Sequence, residues 1–446
     1  MAEPSRRNVL KVAVTAIVAG VVAGVGGWFI GSGAAKTVTI TKTMPATTVT
    51  ITASPPTSPP AGKPIKIGLL ADLTGGLATY GYTHKKTLKA AVNKVNAEGG
   101  IAGRPVEIVV EDTETKVDVG ITKMRKLIEY YDVDFIWGSN HSGIAIACNS
   151  MAKEYKVLHW PVVGALEVTA EKGNRYVFRL CSNVRQEMKA IAEWCIERVA
   201  KKWVTLVVDY AWGWSCEKEF KNYCAEKGGT VIKSIRCPLG TKDFMPYLAG
   251  IPKEAEAALI AFFGTDLISL LKDLYAIRPD IKKAIAHYGF TGIDTEKLGD
   301  PAEGTYIVSS FPRRLKGFDT PYTRAFRKAI GVDEEGRDIE KPTIFSALQY
   351  TWAVWETLFI LKKAIEESGW KSVNDNPELI KTIEGMSVKE GFEFPQGSKT
   401  IRAQDHQAFP SLFIEQVVKG KLDVVARIPA EKLSYPPPAD YSKEAF

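Results

Sequence analysis

The stretch LLADLTGGLATYG, Leu69–Gly81, joins a β-rich run to a helical pattern through a turn that contains Gly75 and Gly76. Nucleotide-binding folds hold phosphate with the same parts, because the backbone N–H groups at a helix start point at an anion. The glycines here do not follow G-x-G-x-x-G, and Tyr80 stands where a phosphate loop needs open backbone. The stretch therefore has the parts of a binding loop without the pattern of a nucleotide site.

The motifs of common enzyme classes are missing from the sequence. It contains no G-x-S-x-G, H-E-x-x-H or G-x-x-x-x-G-K-[ST], and its five histidines are not grouped at the spacing of metal ligands. Gly24–Gly27 imitates half of a dinucleotide fingerprint, but it lies inside an amino-terminal apolar run. We therefore expect no catalytic residues, no metal and no cofactor, and an exported enzyme is the least favoured function.

The amino terminus has the pattern of an export signal. Arg6 and Arg7 precede an uncharged apolar run, Val12–Ile30, which is long enough to span a bilayer. The arginine pair resembles a twin-arginine signal, and an ordinary signal-anchor with chance arginines is the alternative. We expect residues 1–36 to direct export to the outer face of the cell membrane, and either to be cleaved off or to tether the protein there.

Residues 37–64 are rich in Thr, Pro and Ser and repeat Thr-Val-Thr-Ile at Thr37 and Thr48. Few large side chains are available for burial, so the segment is predicted to be a stalk between membrane and domain. A bare flexible linker is equally consistent with the sequence.

Length and charge limit the remaining classes. A chain of 446 residues is long for one domain and fits two or three. Part of the net charge of +7 lies in the amino terminus, and the other Lys/Arg pairs are scattered. A nucleic-acid site needs a basic stripe, so we expect no nucleic-acid partner.

The six cysteines all lie in the part predicted to be exported, where disulfides are permitted. They form no C-x-x-C pair, which argues against a zinc ribbon or a thioredoxin-type site. Cys224 and Cys237, at a helix end and in the next strand, are the favoured disulfide pair, with buried free thiols as the alternative.

From Lys63 onward, strand and helix patterns alternate with short turns. The first series predicts strands Ile65–Ala71, Val106–Val110, Asp134–Trp137 and Val157–Val163, with helices His84–Asn96, Val117–Tyr131 and Ile144–Tyr155 between them. The alternation restarts after Arg179 with a helix, Ile191–Ala200. A long buried helix, Phe345–Glu367, follows, and a last strand pair is predicted around Leu412–Val418 and Val424–Arg427. This order predicts an α/β protein with two doubly wound parallel-sheet lobes.

Several segments resemble type I periplasmic binding proteins of the leucine/isoleucine/valine family. The most recognisable is Asn93–Val106, NKVNAEGGIAGRPV, followed by Asp209–Gly213, DYAWG. Lys66–Gly81, Glu111–Thr113 and Asp405–Gln407 are similar to that family in the expected order. The resemblance implies a venus-flytrap fold and the solute-binding component of an ABC importer, a monomer apart from its anchor, with a membrane permease as partner. The alternative is a ligand-sensing ectodomain that works with a separate signalling protein.

In this family the chain crosses between the lobes three times. By order, the crossings fall near Arg179–Asn183, Ser309–Arg313 and Pro395–Arg402. The resemblance therefore assigns residues 65–180 and 311–394 to lobe 1, residues 182–309 and 399–428 to lobe 2, and residues 429–446 to an extended tail.

The resemblance also implies the ligand-binding residues. Tyr80 matches an aromatic that covers the ligand, Trp212 matches one that closes over it, and Phe263 lies near a further aromatic position. Ser142 matches a serine that holds the ligand carboxylate, and His141 beside it is a second candidate donor. Each of these aromatic rings could also be part of the core, Ser142 could simply cap a helix, and His141 could be a structural histidine.

Two family positions differ here. Gly164 stands where a threonine is common, which leaves only backbone donors, and the position near His287 and Tyr288 lacks the family's acidic partner for an ammonium group. Tyr288 and Trp160 are added as candidate pocket aromatics. The expected solute is a branched-chain amino acid, an amide, or an aromatic or apolar acid.

Overall fold

The computed structural model describes residues 37–40, 49–52, 62–287, 289–346 and 348–446. The predicted signal or anchor, residues 1–36, lies outside the described residues, as does most of the predicted stalk. No helix within the described ranges combines the length and the apolar character that a membrane crossing needs.

Two short strands lie in the amino-terminal segment. β1, Thr37–Ile40, pairs antiparallel with β2, Val49–Thr52, so the two Thr-Val-Thr-Ile repeats form a ladder with each other. The sequence analysis did not predict this pairing. The compact unit formed by residues 58–446 is described separately below.

The first sheet of that unit has four parallel strands in the order β4-β3-β5-β6. Its strands are β3, Ile65–Ala71; β4, Val106–Asp112; β5, Phe135–Gly138; and β6, Leu158–Trp160. The connecting helices are α1, Ala78–Ala97; α2, Val117–Glu129; and α3, Ser142–Glu154. Apolar residues of the strands, such as Ile67, Leu69 and Phe135, are completely buried between the helices, as a parallel sheet covered on both faces requires.

The second sheet has seven strands in the order β15-β14-β11-β10-β9-β7-β8. Its strands are β7, Lys202–Val208; β8, Thr230–Cys237; β9, Ala257–Ala261; β10, Lys282–Ile285; β11, Tyr306–Ser309; β14, Leu412–Val418; and β15, Lys421–Ile428. The helices of this part are α4, Val184–Arg198; α5, Ala211–Glu226; α6, Met245–Leu248; α7, Gly264–Ile277; and α8, Thr295–Leu298. The strands from β7 to β11 are parallel, whereas β14 and β15 add an antiparallel pair at one edge.

Between β11 and β14 the chain leaves the second sheet and returns. It forms α9, Pro321–Ala329; α10, Leu348–Ser368; α11, Asn376–Ile383; and the strand pair β12, Ser387–Val388, with β13, Lys399–Thr400. Helix α10 packs against α1, which belongs to the first sheet. The predicted α/β class with two parallel-sheet lobes is therefore confirmed, while the exact lobe boundaries stay a prediction.

The connections between the sheets are held together by buried polar side chains. The Arg179 guanidinium donates to the Ala165 carbonyl at 2.5 Å, to the Thr169 hydroxyl at 2.6 Å and to Gln407 Oε1 at 2.6 Å. The Gln407 amide donates in turn to the Cys181 carbonyl at 2.8 Å. The Asp405–Gln407 motif therefore has a structural role, because it ties the first connection to the segment that enters β14.

A second tie joins the other two connections. The Gln396 amide donates to the carbonyls of Ser310, at 3.1 Å, and Ser411, at 2.8 Å. The buried Lys399 ammonium pairs with the buried Glu356 carboxylate of α10 at 2.5 Å, so the third connection is anchored to the long helix. Buried side-chain hydrogen bonds or ion pairs therefore hold each of the three connections in place.

The predicted Cys224–Cys237 disulfide is wrong. All six cysteines are buried free thiols. Cys224 packs beside Gly229 at the start of β8, whereas Cys237 ends that strand. Seven residue steps at about 3.3 Å each separate the two ends of the strand, which is far beyond the reach of a disulfide.

Two motif glycines are required by close backbone approach. A Cβ on Gly81, in the first turn of α1, would lie 2.3 Å from the Asp72 carbonyl oxygen, and one on Gly213, in the first turn of α5, would lie 1.9 Å from that of Val208. Real Cβ atoms do not approach so closely. In both sheets a helix start is therefore packed directly on the end of the preceding strand.

We expect Gly213→Ala to lower the free energy of unfolding by about 2 kcal/mol or more, because backbone must move to admit the methyl group. Gly76→Ala is the control, since a Cβ on this exposed glycine meets nothing within 4 Å, and it should change stability by less than about 0.5 kcal/mol. Urea unfolding curves measure both. Equal stability of the two variants would contradict the packing described here.

Candidate solute-binding site

The carboxyl ends of the strands in the two sheets meet at one small cavity. Its walls come from the segments after β3 and β5 on one side, and from those after β7 and β9 on the other. The lining residues are Leu77, Asn140, Ser142, Tyr210, Trp212 and Phe263. Open α/β sheets bind ligands at this end of their strands, so the cavity is the candidate site.

Two of the predicted aromatic residues, Trp212 and Phe263, line this cavity, and Tyr80 packs against Phe263. The Phe263 ring lies edge-on to Tyr80, with centroids 6.2 Å apart, and tilted against Trp212 at 5.8 Å. Tyr80 comes from the first-sheet side and the other two come from the second-sheet side. All three side chains are buried. In this closed arrangement they fit both the prediction of pocket aromatics and the alternative of core aromatics.

The space left between the two sides is small. The cavity measures about 10 Å³, which is room for roughly one water-sized sphere. Polar contacts join the same two sides, since the Ser215 hydroxyl of α5 donates to Glu167 Oε2 at 2.8 Å. The two lobes are therefore closed on each other, and a solute larger than water requires them to separate or the rings to rotate.

Ser142 is the first residue of α3 and lies in the cavity wall. Its hydroxyl oxygen accepts the Ala165 N–H at 3.4 Å. The helix cap is His141, whose Nδ1 accepts the Ile144 N–H at 3.3 Å, so Ser142 does not serve as the cap. Burial lowers the pKa of His141 to about 4, which keeps the ring neutral and able to accept this bond. The Ser142 hydroxyl and the start of α3 form an end that suits an anion.

His141 also contacts the other side of the cleft. Its ring stacks on Tyr210 with centroids 5.1 Å apart and an interplanar angle of 12°. His141 was predicted as a candidate donor to the ligand, with a structural histidine as the alternative. In the structure it caps α3 and stacks on Tyr210, which was not predicted and joins the wall. Its role as a ligand donor stays a prediction.

A buried carboxylate positions the segment that carries Ser142. Asp72, directly after β3, accepts the Asn140 N–H at 2.7 Å and the Ser139 hydroxyl at 2.9 Å, and it also accepts the Thr113 hydroxyl. Burial raises the pKa of Asp72, and these donors lower it. Asp72 therefore fixes the backbone of the binding loop without lining the cavity.

Gly164 lies behind Trp212. A Cβ at this position would be 3.1 Å from the indole of Trp212 and 3.1 Å from the hydroxyl of Tyr350. Because Gly164 has no side chain, Trp212 and Tyr350 can pack against its backbone. The Gly164 carbonyl accepts the Val184 N–H at 2.8 Å, so part of its backbone is already used.

The sequence analysis missed one acidic residue near His287. Glu187, in the first turn of α4, is buried, and its Oε1 lies 3.6 Å from His287 Nδ1. The signal that could have found this helix start is the box Asn183-x-x-Gln186, which caps α4. The periodicity instead placed the start of this helix at Ile191.

Two aromatic candidates for the pocket remain, Tyr288 and Trp160. Tyr288 lies outside the described residues, so its role stays a prediction. Trp160 stacks between Trp137 and Phe178, with centroids 6.3 Å and 5.0 Å away, and belongs to the core of the first lobe. Trp160 is not among the residues that line the cavity, which favours the alternative of a core aromatic.

The profile of the family described as periplasmic binding protein matches residues 64–421. The chain belongs to the periplasmic binding proteins. The predicted resemblance to the leucine/isoleucine/valine-binding branch is confirmed, and family membership implies export from the cytoplasm.

Two relatives illustrate the branch. This periplasmic binding protein is 24% identical over 367 residues to Leu/Ile/Val-binding protein homolog 6 of Brucella suis biovar 1 (strain 1330), covering 80% of this chain and 88% of the relative. It is 30% identical over 336 residues to Leu/Ile/Val-binding protein BraC3 of Rhizobium johnstonii, covering 74% of this chain and 85% of the relative.

Solved structures show the same fold. A solute binding protein of an ABC transporter from R. palustris, in complex with 4-hydroxybenzoate, matches with a TM-score of 0.72 and 22% identity over 82% of this chain and 97% of that one. The branched-chain amino acid transporter substrate binding protein LivJ from Streptococcus pneumoniae, in complex with isoleucine, matches with a TM-score of 0.68 and 20% identity over 82% and 99% of the two chains.

We expect Asp72→Asn to lower the free energy of unfolding by about 1–3 kcal/mol, because an amide replaces one of the two oxygens that accept the buried donors. Asp118→Asn, in the exposed first turn of α2, is the matched control and should be nearly neutral. Chemical unfolding measures both. A neutral Asp72→Asn would show that the carboxylate does not hold the loop.

Proposed function

We propose that this periplasmic binding protein is the solute-binding component of an ABC importer and binds a small organic solute in the cavity between its lobes. The observation that supports this best is the pairing of an anion-binding end with an aromatic wall. Ser142 and the start of α3 provide the first, and Tyr80, Trp212 and Phe263 provide the second. The solute is a branched-chain amino acid, an amide, or an aromatic or apolar acid.

Binding proceeds by opening and closing of the lobes. A cavity of about 10 Å³ admits no such solute, so the closed form must open, bind and close again. The His141–Tyr210 stack and the Tyr80–Phe263 contact both join the two sides, and they are the contacts that opening breaks.

The closed form then delivers the solute to a membrane permease, and the protein acts as a monomer tethered or released outside the cell. Relatives named as ABC transporter substrate-binding proteins support this role. We propose that the protein binds its solute without converting it into a product.

The test is a thermal-shift screen of amino acids, amides and aromatic acids. A solute present at about 100 times its Kd should stabilise the protein by about 2.7 kcal/mol, because it binds only the folded state. Solute consumption measured in the same samples separates a binding protein from an enzyme. Release of a reaction product would contradict the proposal.

Tyr80→Ala and Trp212→Ala should weaken binding of the solute found in this screen by at least about 10-fold while still unfolding in one cooperative step. Trp214→Ala is the matched control, because Trp214 lies on the same helix and is 45% exposed outside the cavity. Isothermal titration calorimetry measures the affinities. Unchanged affinity in both cavity variants would remove this site assignment.

A further inference from the structure

The tail, residues 429–446, crosses from the second-sheet side to the first-sheet side. It continues from β15 and contains two short 3₁₀ turns, Ala430–Leu433 and Tyr441–Lys443. The family profile ends at residue 421, so the tail lies outside the matched part of the chain. The structure describes all of its residues, and none of them lines the cavity. Its contacts therefore serve something other than the wall of the solute site.

The first half of the tail is attached to the second-sheet side. Its first turn packs against α4, with the Leu433 side chain buried. The Ser434 carbonyl accepts the ammonium group of Lys189, on the same helix, at 3.2 Å. Because α4 packs against β11 and β14, this part of the tail belongs to the second sheet.

Tyr435 comes next and lies against the connections between the sheets. Its hydroxyl accepts the Asn183 amide of the first connection at 2.5 Å. The Arg402 guanidinium of the third connection lies 4.8 Å from the centroid of the Tyr435 ring, and the Phe409 centroid lies 5.4 Å away. The tail is therefore fixed at the point about which the lobes would turn.

The second half of the tail is attached to the first-sheet side through Tyr441. This buried side chain donates its hydroxyl to the Ala170 carbonyl, and the Tyr441 N–H donates to the Gln404 carbonyl at 2.6 Å. A Cβ on Gly173 would lie 2.3 Å from the Tyr441 hydroxyl oxygen, so the ring occupies space that a side chain there would fill. Ala170 and Gly173 both follow β6, an edge strand of the first sheet.

Two further residues strengthen this attachment. The Glu444 carboxylate pairs with the Lys153 ammonium of α3 at 2.9 Å, and the Glu444 carbonyl accepts the Arg175 guanidinium at 2.5 Å. The same guanidinium lies 3.8 Å from the centroid of the Phe446 ring. Helix α3 packs on β6, so these contacts also join the tail to the first sheet.

A stiff spacer joins the two attachments. Tyr435 and Tyr441 are separated by five residues, Pro436-Pro437-Pro438-Ala439-Asp440, and the three prolines are exposed. Consecutive prolines hold an extended conformation with a fixed φ, so the spacer cannot shorten or lengthen freely. A lobe rotation that changes the distance between the two attachment points must therefore detach Tyr441, whose contacts are noncovalent.

We propose that the tail is a strap that holds the lobes closed when no solute is bound. Both attachments are formed in the closed arrangement, whose cavity of about 10 Å³ admits no small organic solute. Opening requires release of the Tyr441 attachment, so the strap lowers the population of the open form and lowers the apparent solute affinity by the same factor. This inference goes beyond the proposed function, because it concerns lobe movement in the absence of solute.

The test measures the distance between the lobes in the solute-free full-length protein by double electron–electron resonance. The spin labels are attached at Lys85→Cys in α1 and Lys218→Cys in α5, since both lysines are exposed whereas the six native thiols are buried. The protein with its natural tail should give mainly the short distance of the closed form.

Tyr441→Phe should raise the open fraction about 5-fold, because the hydrogen bond to the Ala170 carbonyl is lost while the ring keeps its packing. Tyr130→Phe is the matched control, since Tyr130 is 77% exposed at the end of α2, and it should leave the open fraction unchanged. Replacing all three spacer prolines with glycine should also raise the open fraction, because a flexible spacer lets the lobes separate with both attachments intact.

An open fraction that is no higher in Tyr441→Phe than in Tyr130→Phe would contradict the strap, as would an unchanged open fraction in the proline variant. A protein that is mainly open with its natural tail would also refute it, because the attachments would then not hold the lobes closed. Solute binding is measured separately in the thermal-shift screen, so failure of the strap and failure of the proposed function are distinguishable.

Discussion

The site depends on one constraint, which is that parallel strands bring their carboxyl ends to a single edge of a sheet. In this protein two such edges face each other, and each is followed by helices that start at the same place. Helix starts carry unpaired N–H groups, so polar and small residues collect there. Gly81 and Gly213 show how tightly these starts are packed on the strand ends, since neither position has space for a methyl group.

Buried polar groups outside the cavity hold this arrangement in place. Asp72 positions the loop before α3, Arg179 and Gln407 tie the first connection to the segment before β14, and Gln396 joins the other two. These hydrogen bonds order the connections without lining the cavity. The proposed opening would separate the two edges at the connections while each lobe keeps its shape.

The strands and their order along the chain could be predicted from the sequence because apolar runs identify buried strands well. Strand β3 was predicted to the residue, and β14 likewise. The helices that border the site were predicted too short. Helix α1 was expected from His84 but begins at Ala78, and α4 was expected from Ile191 but begins at Val184.

The reason is physical. Periodicity detects a helix by its apolar stripe. The first turns of these two helices carry Tyr80 or Glu187 and their neighbours in place of that stripe, so the helix starts were placed too late. Tyr80, Ser142, Trp212 and Phe263 could be selected because the resemblance supplied their positions. Glu187 could not be selected in this way, because the residues that it contacts are far from it in the sequence. Tyr350 is 163 positions away, and His287 follows a strand of the second sheet.

A crystal structure of the protein with its tightest-binding solute tests the central claim most directly. The account predicts that the solute carboxylate lies about 3 Å from the Ser142 hydroxyl, with the rest of the solute between the Tyr80, Trp212 and Phe263 rings. Solute bound elsewhere, for example in the surface groove beside Thr400 and Phe409, with the three rings still packed against one another, would contradict it.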